Sequence, residues 1–101
     1  MNFFNDMEKE QLVELYDYFE GLKTGNQRRK LNEENQELTE ELLLFDRGIG
    51  AIDDVIKEMA DNFILLFQHI YALDITEEEL KSAIKEKLIR TLHRKEIKYY
   101  E

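Results

Sequence analysis

Two short acidic elements have the types and spacing to do chemistry: Glu33-Glu34-Asn35-Gln36-Glu37 and, further along, Glu58-Met59-Ala60-Asp61. On a helix, residues three or four apart share a face. Glu34, Glu37 and Glu41 then fall within roughly 60° of one another and border an apolar stripe of Leu31, Leu38 and Leu42. Glu33 and Glu40 point to solvent. Carboxylates at the edge of a core repel one another and lose hydration, which costs stability without a counter-charge. A hard divalent cation removes that cost, and Mg²⁺ (or Mn²⁺) prefers such oxygen ligands.

The second element repeats the arrangement. Glu58 and Asp61 share a face, and Asp61 interrupts the apolar run from Met59 to Phe67, where an aspartate is expensive unless partnered. Two facing helices, each offering two carboxylates, make a metal site in a bundle core. The opposite sign comes from Lys87, Thr91 and Arg94, which stand on one face close to Leu80 and Ile84. Two cations and a hydroxyl leaning inward suit phosphate oxygens. Metal on one side and Lys/Arg on the other is what phosphoanhydride cleavage needs.

Plainer readings stand beside these. A glutamate run is usually a solvated helix face, which we accept for Glu33 and Glu40. Asp61 could be held by a neighbouring Lys or Arg, and Lys87 and Arg94 by surface pairs to Glu77, Glu78 or Glu86. His69 lacks a second ligand at suitable spacing and reads as a core or interface histidine, and His93 as exposed. Phe63, Phe67 and Tyr71 read as core. Tyr99 and Tyr100 carry no readable function.

Four helices must position these groups. The first is expected over 6–22, with Asn5 as N-cap, Glu8 three residues on, and Leu12, Leu15, Tyr16, Phe19 and Leu22 as its apolar positions. Thr24-Gly25-Asn26 breaks it. The second runs over 27–45 and ends at Arg47-Gly48-Ile49-Gly50, since glycine tolerates the left-handed conformation of a helix end. The third, 51–72, is apolar on most of its circumference from Val55 to Tyr71, which makes it central or an oligomer interface. The fourth, 77–95, opens on a capping box of Thr76 and Glu79 and carries Leu80, Ile84, Leu88 and Leu92. The tail, 96–101, has no assigned structure.

Composition narrows the classes. The chain has 101 residues, no proline and four glycines, which favours a single all-α domain over a many-turned β fold. Hydrophobic residues make up 43%, enough for a small core that a helical chain often completes by pairing with a copy of itself. The absence of cysteine excludes disulfides and thiolate sites and is compatible with a reducing cytoplasm. No apolar run approaches the roughly 20 residues of a membrane span, and Met1 to Asp6 lack the basic start and apolar stretch of a signal peptide. The net charge of −9 argues against a nucleic-acid duplex as partner, though acids can bind a nucleotide across a divalent metal.

The two acidic elements, Lys30-Leu31-Asn32-Glu33-Glu34-Asn35-Gln36-Glu37-Leu38 and Glu58-Met59-Ala60-Asp61, resemble the E-E-x-x-E and E-x-x-D pattern of the MazG-like (all-α) nucleotide pyrophosphohydrolases. Lys87, Thr91 and Arg94 look like that family's closing K-x₃-N-x₂-R, with threonine in place of asparagine. The resemblance covers about 27–95. It implies a four-helix MazG-like bundle completed by homo-oligomerisation, as a homodimer or homotetramer with sites shared between subunits. It implies that Glu34, Glu37, Glu58 and Asp61 bind Mg²⁺, that Lys30, Lys87, Thr91 and Arg94 meet the phosphates, and that a metal-activated water cleaves a nucleoside triphosphate between its α and β phosphates. One of Glu34, Glu37 and Glu41 would orient the water, and the sequence does not choose among them. The competing expectations are an acidic helical adaptor pairing through the third helix, and a MazG-like fold that binds nucleotide without turnover.

Overall fold

The computed structural model describes residues 3–22 and 27–98. The break expected at Thr24-Gly25-Asn26 and the tyrosines of the tail lie outside them. The chain is an all-α bundle of four helices: α1 (Asp6–Leu22), α2 (Gln27–Asp46), α3 (Ile52–Ala72) and α4 (Glu77–Glu96). The described residues include no strand.

Local chemistry sets the boundaries. Asn5 and Glu8 cap α1 reciprocally, each backbone N–H donating to the other's side chain at 3.0 and 2.8 Å. The Gln27 backbone N–H at the head of α2 donates to the Glu20 carboxylate of α1 at 3.1 Å. At the other end of α2, Gly48 takes φ +76°. Gly50 is constrained differently: a Cβ there would stand 2.8 Å from the Phe45 nitrogen and 3.0 Å from the Leu44 carbonyl carbon. Only glycine lets α3 start this close to the end of α2. The Thr76–Glu79 capping box is complete at α4, and Asp74 supplies the left-handed turn before it with φ 55°.

α3 is the central element, packed against both α2 and α1. The core around it is thin. Leu12, Val55, Leu65 and Phe67 are its buried apolar side chains, and Gln27, Asn62 and Gln68 are buried among them. Tyr16 meets the His69 ring edge-on, and Phe4 meets Phe67 likewise. Phe63, read from sequence as core, is 51% exposed. It lies on the side of α3 that neither α1 nor α2 covers.

α4 behaves differently. It packs along none of the other helices and buries no residue. Its first turn is tethered, with the Tyr71 hydroxyl donating to Glu77 at 3.1 Å and the Lys9 ammonium 3.8 Å from the same carboxylate. Beyond that turn the helix projects. The radius of gyration is 16.4 Å, against about 13 Å for a compact chain of this length.

Candidate metal-binding site

The antiparallel α2–α3 pair faces a short acidic segment of each helix toward the other. A carboxylate oxygen from each of Glu34, Glu37 and Glu58 lies within 4.8 Å of the other two. The turn at Gly48–Gly50 sets this register. Asn62 locks it: its side-chain amide donates to the carbonyl of Glu58, one turn back on α3, at 2.8 Å, and across the helix pair to the carbonyl of Glu34 at 3.0 Å.

The environment disfavours negative charge. Burial raises the Glu34 carboxyl above the ordinary carboxylate value, the hydrogen bond and charge of Glu37 add to this, and Asp61 contributes; Lys30 opposes them. Burial also raises Glu58, followed by the charges of Glu37, Asp61 and Glu41. Glu34 Oε2 and Glu58 Oε2 are both buried without a hydrogen-bond partner. Two orphaned carboxylate oxygens in one cleft are unusual, because buried polar atoms are nearly always satisfied.

A divalent cation fits this donor set. An octahedral Mg²⁺ holds its oxygens at about 2.1 Å, so opposite ligands stand no more than about 4.2 Å apart. Glutamate oxygens within 4.8 Å of one another need only small torsional adjustments to reach that geometry.

The other residues singled out from sequence fall in different places. Asp61 is exposed, not sunk in the apolar run as its neighbours suggested. It stands at the rim and acts on Glu34 and Glu58 through its charge. The buried polar residue of that run is its neighbour Asn62, at 8% exposure. One residue of helical rotation, about 100°, separates the two. Glu41 is half-buried one turn beyond Glu37. Lys30 lies 3.8 Å from Glu34 Oε1, so α2 itself brings a cation to the cluster.

Lys87, Thr91 and Arg94 do not lean inward. Lys87 and Thr91 are exposed and Arg94 half-exposed, and the Thr91 hydroxyl donates to the Lys87 carbonyl of its own helix at 2.8 Å. Because α4 projects from the bundle, a single chain does not bring these residues to the glutamates. His69, read as a core or interface histidine, is half-buried with Nδ1 2.8 Å from the Leu65 carbonyl, and His93 is exposed.

No family model, curated protein or solved structure matches this chain. Asn62 is the residue of the glutamate cluster that sequence reasoning passed over. The one available signal, a polar residue inside an apolar run, was shared with Asp61.

Proposed function

We propose that the chain is a Mg²⁺-dependent nucleoside triphosphate pyrophosphohydrolase whose core is completed between copies in a MazG-like arrangement. One observation carries the reading: Glu34 and Glu37 of α2 and Glu58 of α3 meet in one cleft, and Glu34 and Glu58 each keep a buried oxygen without a partner. That arrangement is costly for the empty protein and suited to a hard cation.

In this reading Glu34, Glu37 and Glu58 hold the cation, with Asp61 joining from the rim. When bound, Mg²⁺ (or Mn²⁺) supplies charge neutralisation for the triphosphate and a water of lowered pKa. Glu41, one turn beyond Glu37 on α2 and acting on Glu58 through its charge, or whichever of Glu34 and Glu37 is left least engaged, accepts the proton of the attacking water. Water adds at the α phosphorus and the α–β bond breaks, giving a nucleoside monophosphate and pyrophosphate. Lys30 offers the nearest positive charge to the phosphates, and Lys87, Thr91 and Arg94 reach them only from another copy.

The test is a melt with and without Mg²⁺ and a non-hydrolysable nucleotide, followed by pyrophosphate release across a nucleotide panel. Stabilisation and release, both lost in Glu34→Gln and Glu58→Gln, are expected. No stabilisation and no release would end the proposal.

A second reading, a helical interaction protein, has its own observation: the exposed apolar stripe of α4. It requires no cation, so a melt unmoved by Mg²⁺ favours it.

A further inference from the structure

The glutamate cleft already holds one positive group. Lys30 stands one turn before Glu34 on α2, and its ammonium lies 3.8 Å from Glu34 Oε1. The other oxygen of that carboxylate is buried without a partner. Lysine–glutamate pairs on exposed helix faces contribute little, but this one does not join two solvated groups. Its acid is one of three whose oxygens lie within 4.8 Å of one another, so Lys30 faces more negative charge than one ammonium balances. Its charge opposes the effect of Glu37 and Asp61 on Glu34.

The contact is of a kind that breaks easily. At 3.8 Å it lies beyond hydrogen-bond reach and is Coulombic alone. Lysine four residues before glutamate is also the weaker order on a helix. The Glu34 side chain is 13% exposed and the Lys30 side chain 40%. The carboxylate is therefore fixed, and the ammonium, on its flexible stem, is the member that can swing into water. An ammonium brings one charge to those oxygens where a divalent cation brings two. We infer that Lys30 is a displaceable counter-charge: it holds Glu34 in the metal-free chain, is released when a divalent cation takes that carboxylate, and then turns its ammonium to the triphosphate of the substrate.

The same residue then penalises both half-filled states of the site. Lys30 has to leave Glu34 before a cation is held alone, and a triphosphate arriving alone competes with Glu34 for Lys30. Bound together, each ligand frees the group that the other needs. Each therefore tightens the other, by the same factor in both directions.

The inference rests on the cation site of the proposed function, and the experiment separates the two. Mg²⁺, and then an α,β-methylene nucleoside triphosphate, are titrated calorimetrically into the full chain, Lys30→Gln and Lys57→Gln. Lys57 is an exposed lysine of α3, and its loss makes the same change of net charge. Lys30→Gln should bind Mg²⁺ alone about two- to fivefold more tightly than the parent, as removal of a weak ion pair predicts. With Mg²⁺ present it should bind the triphosphate about tenfold more weakly, for want of a charged contact. Lys57→Gln should do neither. After reductive methylation with isotope-labelled formaldehyde, the Lys30 resonance, assigned by its absence from Lys30→Gln, should shift as Mg²⁺ is added and shift again with the triphosphate. A parent that binds Mg²⁺ while its Lys30 resonance stays put, or a Lys30→Gln chain no better than Lys57→Gln at holding Mg²⁺, overturns the displacement and leaves the glutamate site standing. Tighter Mg²⁺ with unchanged triphosphate affinity overturns the transfer to phosphate. A parent that binds no Mg²⁺ overturns both the inference and the site.

Discussion

The side-chain amide of Asn62 is hydrogen-bonded to the backbone of Glu34 across the helix interface, at 3.0 Å, while also donating to the carbonyl of Glu58 at 2.8 Å. One buried group thus fixes the separation of two glutamates that belong to different helices. Replacing it with alanine removes both bonds and leaves a small void, and should cost about 1–3 kcal/mol of stability. Urea unfolding of Asn62→Ala measures the loss. Its Mg²⁺ affinity should fall as well, because the two carboxylates are no longer held in register. A variant as stable as the parent, with unchanged Mg²⁺ response, would show that the amide positions nothing.

Neutralising the cluster should have opposite effects with and without cation. Glu34 and Glu58 each bury an oxygen that no donor satisfies, and both feel the charge of Glu37. Glu34→Gln and Glu58→Gln relieve that repulsion at nearly constant shape. In the absence of divalent metal each variant should melt above the parent. With Mg²⁺ the order should reverse, since a site saturated a hundredfold above its Kd gains about 2.7 kcal/mol that the variants lose. Differential scanning calorimetry in chelator and in Mg²⁺ reads both arms. An apo melting point lowered by both substitutions would mean that the carboxylates are structural.

The pH dependence has a definite sign. The folded chain raises Glu34 and Glu58 above their ordinary value of 4.5, so folding favours their protonated forms. Their contribution to stability is fully present below the unfolded value and is lost as pH rises through the folded one. Metal-free protein should therefore lose stability from these two groups on going from pH 4 toward neutrality, and Glu34→Gln/Glu58→Gln should flatten that part of the profile. Mg²⁺ competes with the protons, so its stabilising effect should grow over the same window. Chemical denaturation at a series of pH values, with and without Mg²⁺, tests both statements.

How much of this was legible in the sequence depended on the physics involved. Helix ends written in local chemistry were readable: Asn5 with Glu8, Thr76 with Glu79, and the glycines after α2 all act within a few residues of themselves. The convergence of Glu34, Glu37 and Glu58 was readable from period and order, because two amphipathic helices joined by a short turn have few ways to face each other. Which of Asp61 and Asn62 turns inward was not readable. The choice rests on the rotation of α3 about its axis, which α1 and α2 set jointly. The direction of α4 was equally hidden. Its apolar stripe predicts burial against something, and the sequence does not say that no other helix of the chain lies along it.

The closeness of α2 and α3 at their junction makes Gly50 a sensitive position. An added methyl would fall 2.8 Å from the Phe45 nitrogen and 3.0 Å from the Leu44 carbonyl carbon, and neither is a side chain that can swing away. Gly50→Ala should destabilise by about 1–3 kcal/mol, as overpacking does, and should weaken Mg²⁺ binding by shifting Glu58 relative to Glu37. Gly21→Ala is the matched control, because nothing lies within 4 Å of its added methyl. Thermal melts of the pair distinguish a steric effect from a general cost of losing glycine. Equal melting points for the two variants would sink the argument.

Tyr71 links the bundle to the projecting helix. Its phenol is pushed up to about 12, first by burial and then by its hydrogen bond to Glu77. The neutral phenol is the form that folding favours, so its contribution persists below its ordinary value of 10 and disappears as pH rises toward 12. Tyr71→Phe keeps the ring contacts with Phe4 and Phe67 but gives up the donor to Glu77. It should cost about 0.5–1.5 kcal/mol and remove the phenol held up to about 12 from an ultraviolet pH titration. The loss has a second consequence, because it removes one of the contacts that hold Glu77, the Lys9 ammonium at 3.8 Å being another. With that tether cut, α4 should sample a wider range of directions. Distances between spin labels on α1 and α4 should broaden in Tyr71→Phe and broaden further in Tyr71→Phe with Lys9→Ala. A distribution as narrow as the parent's in the double variant would mean that the Tyr71 and Lys9 contacts do not set the course of α4.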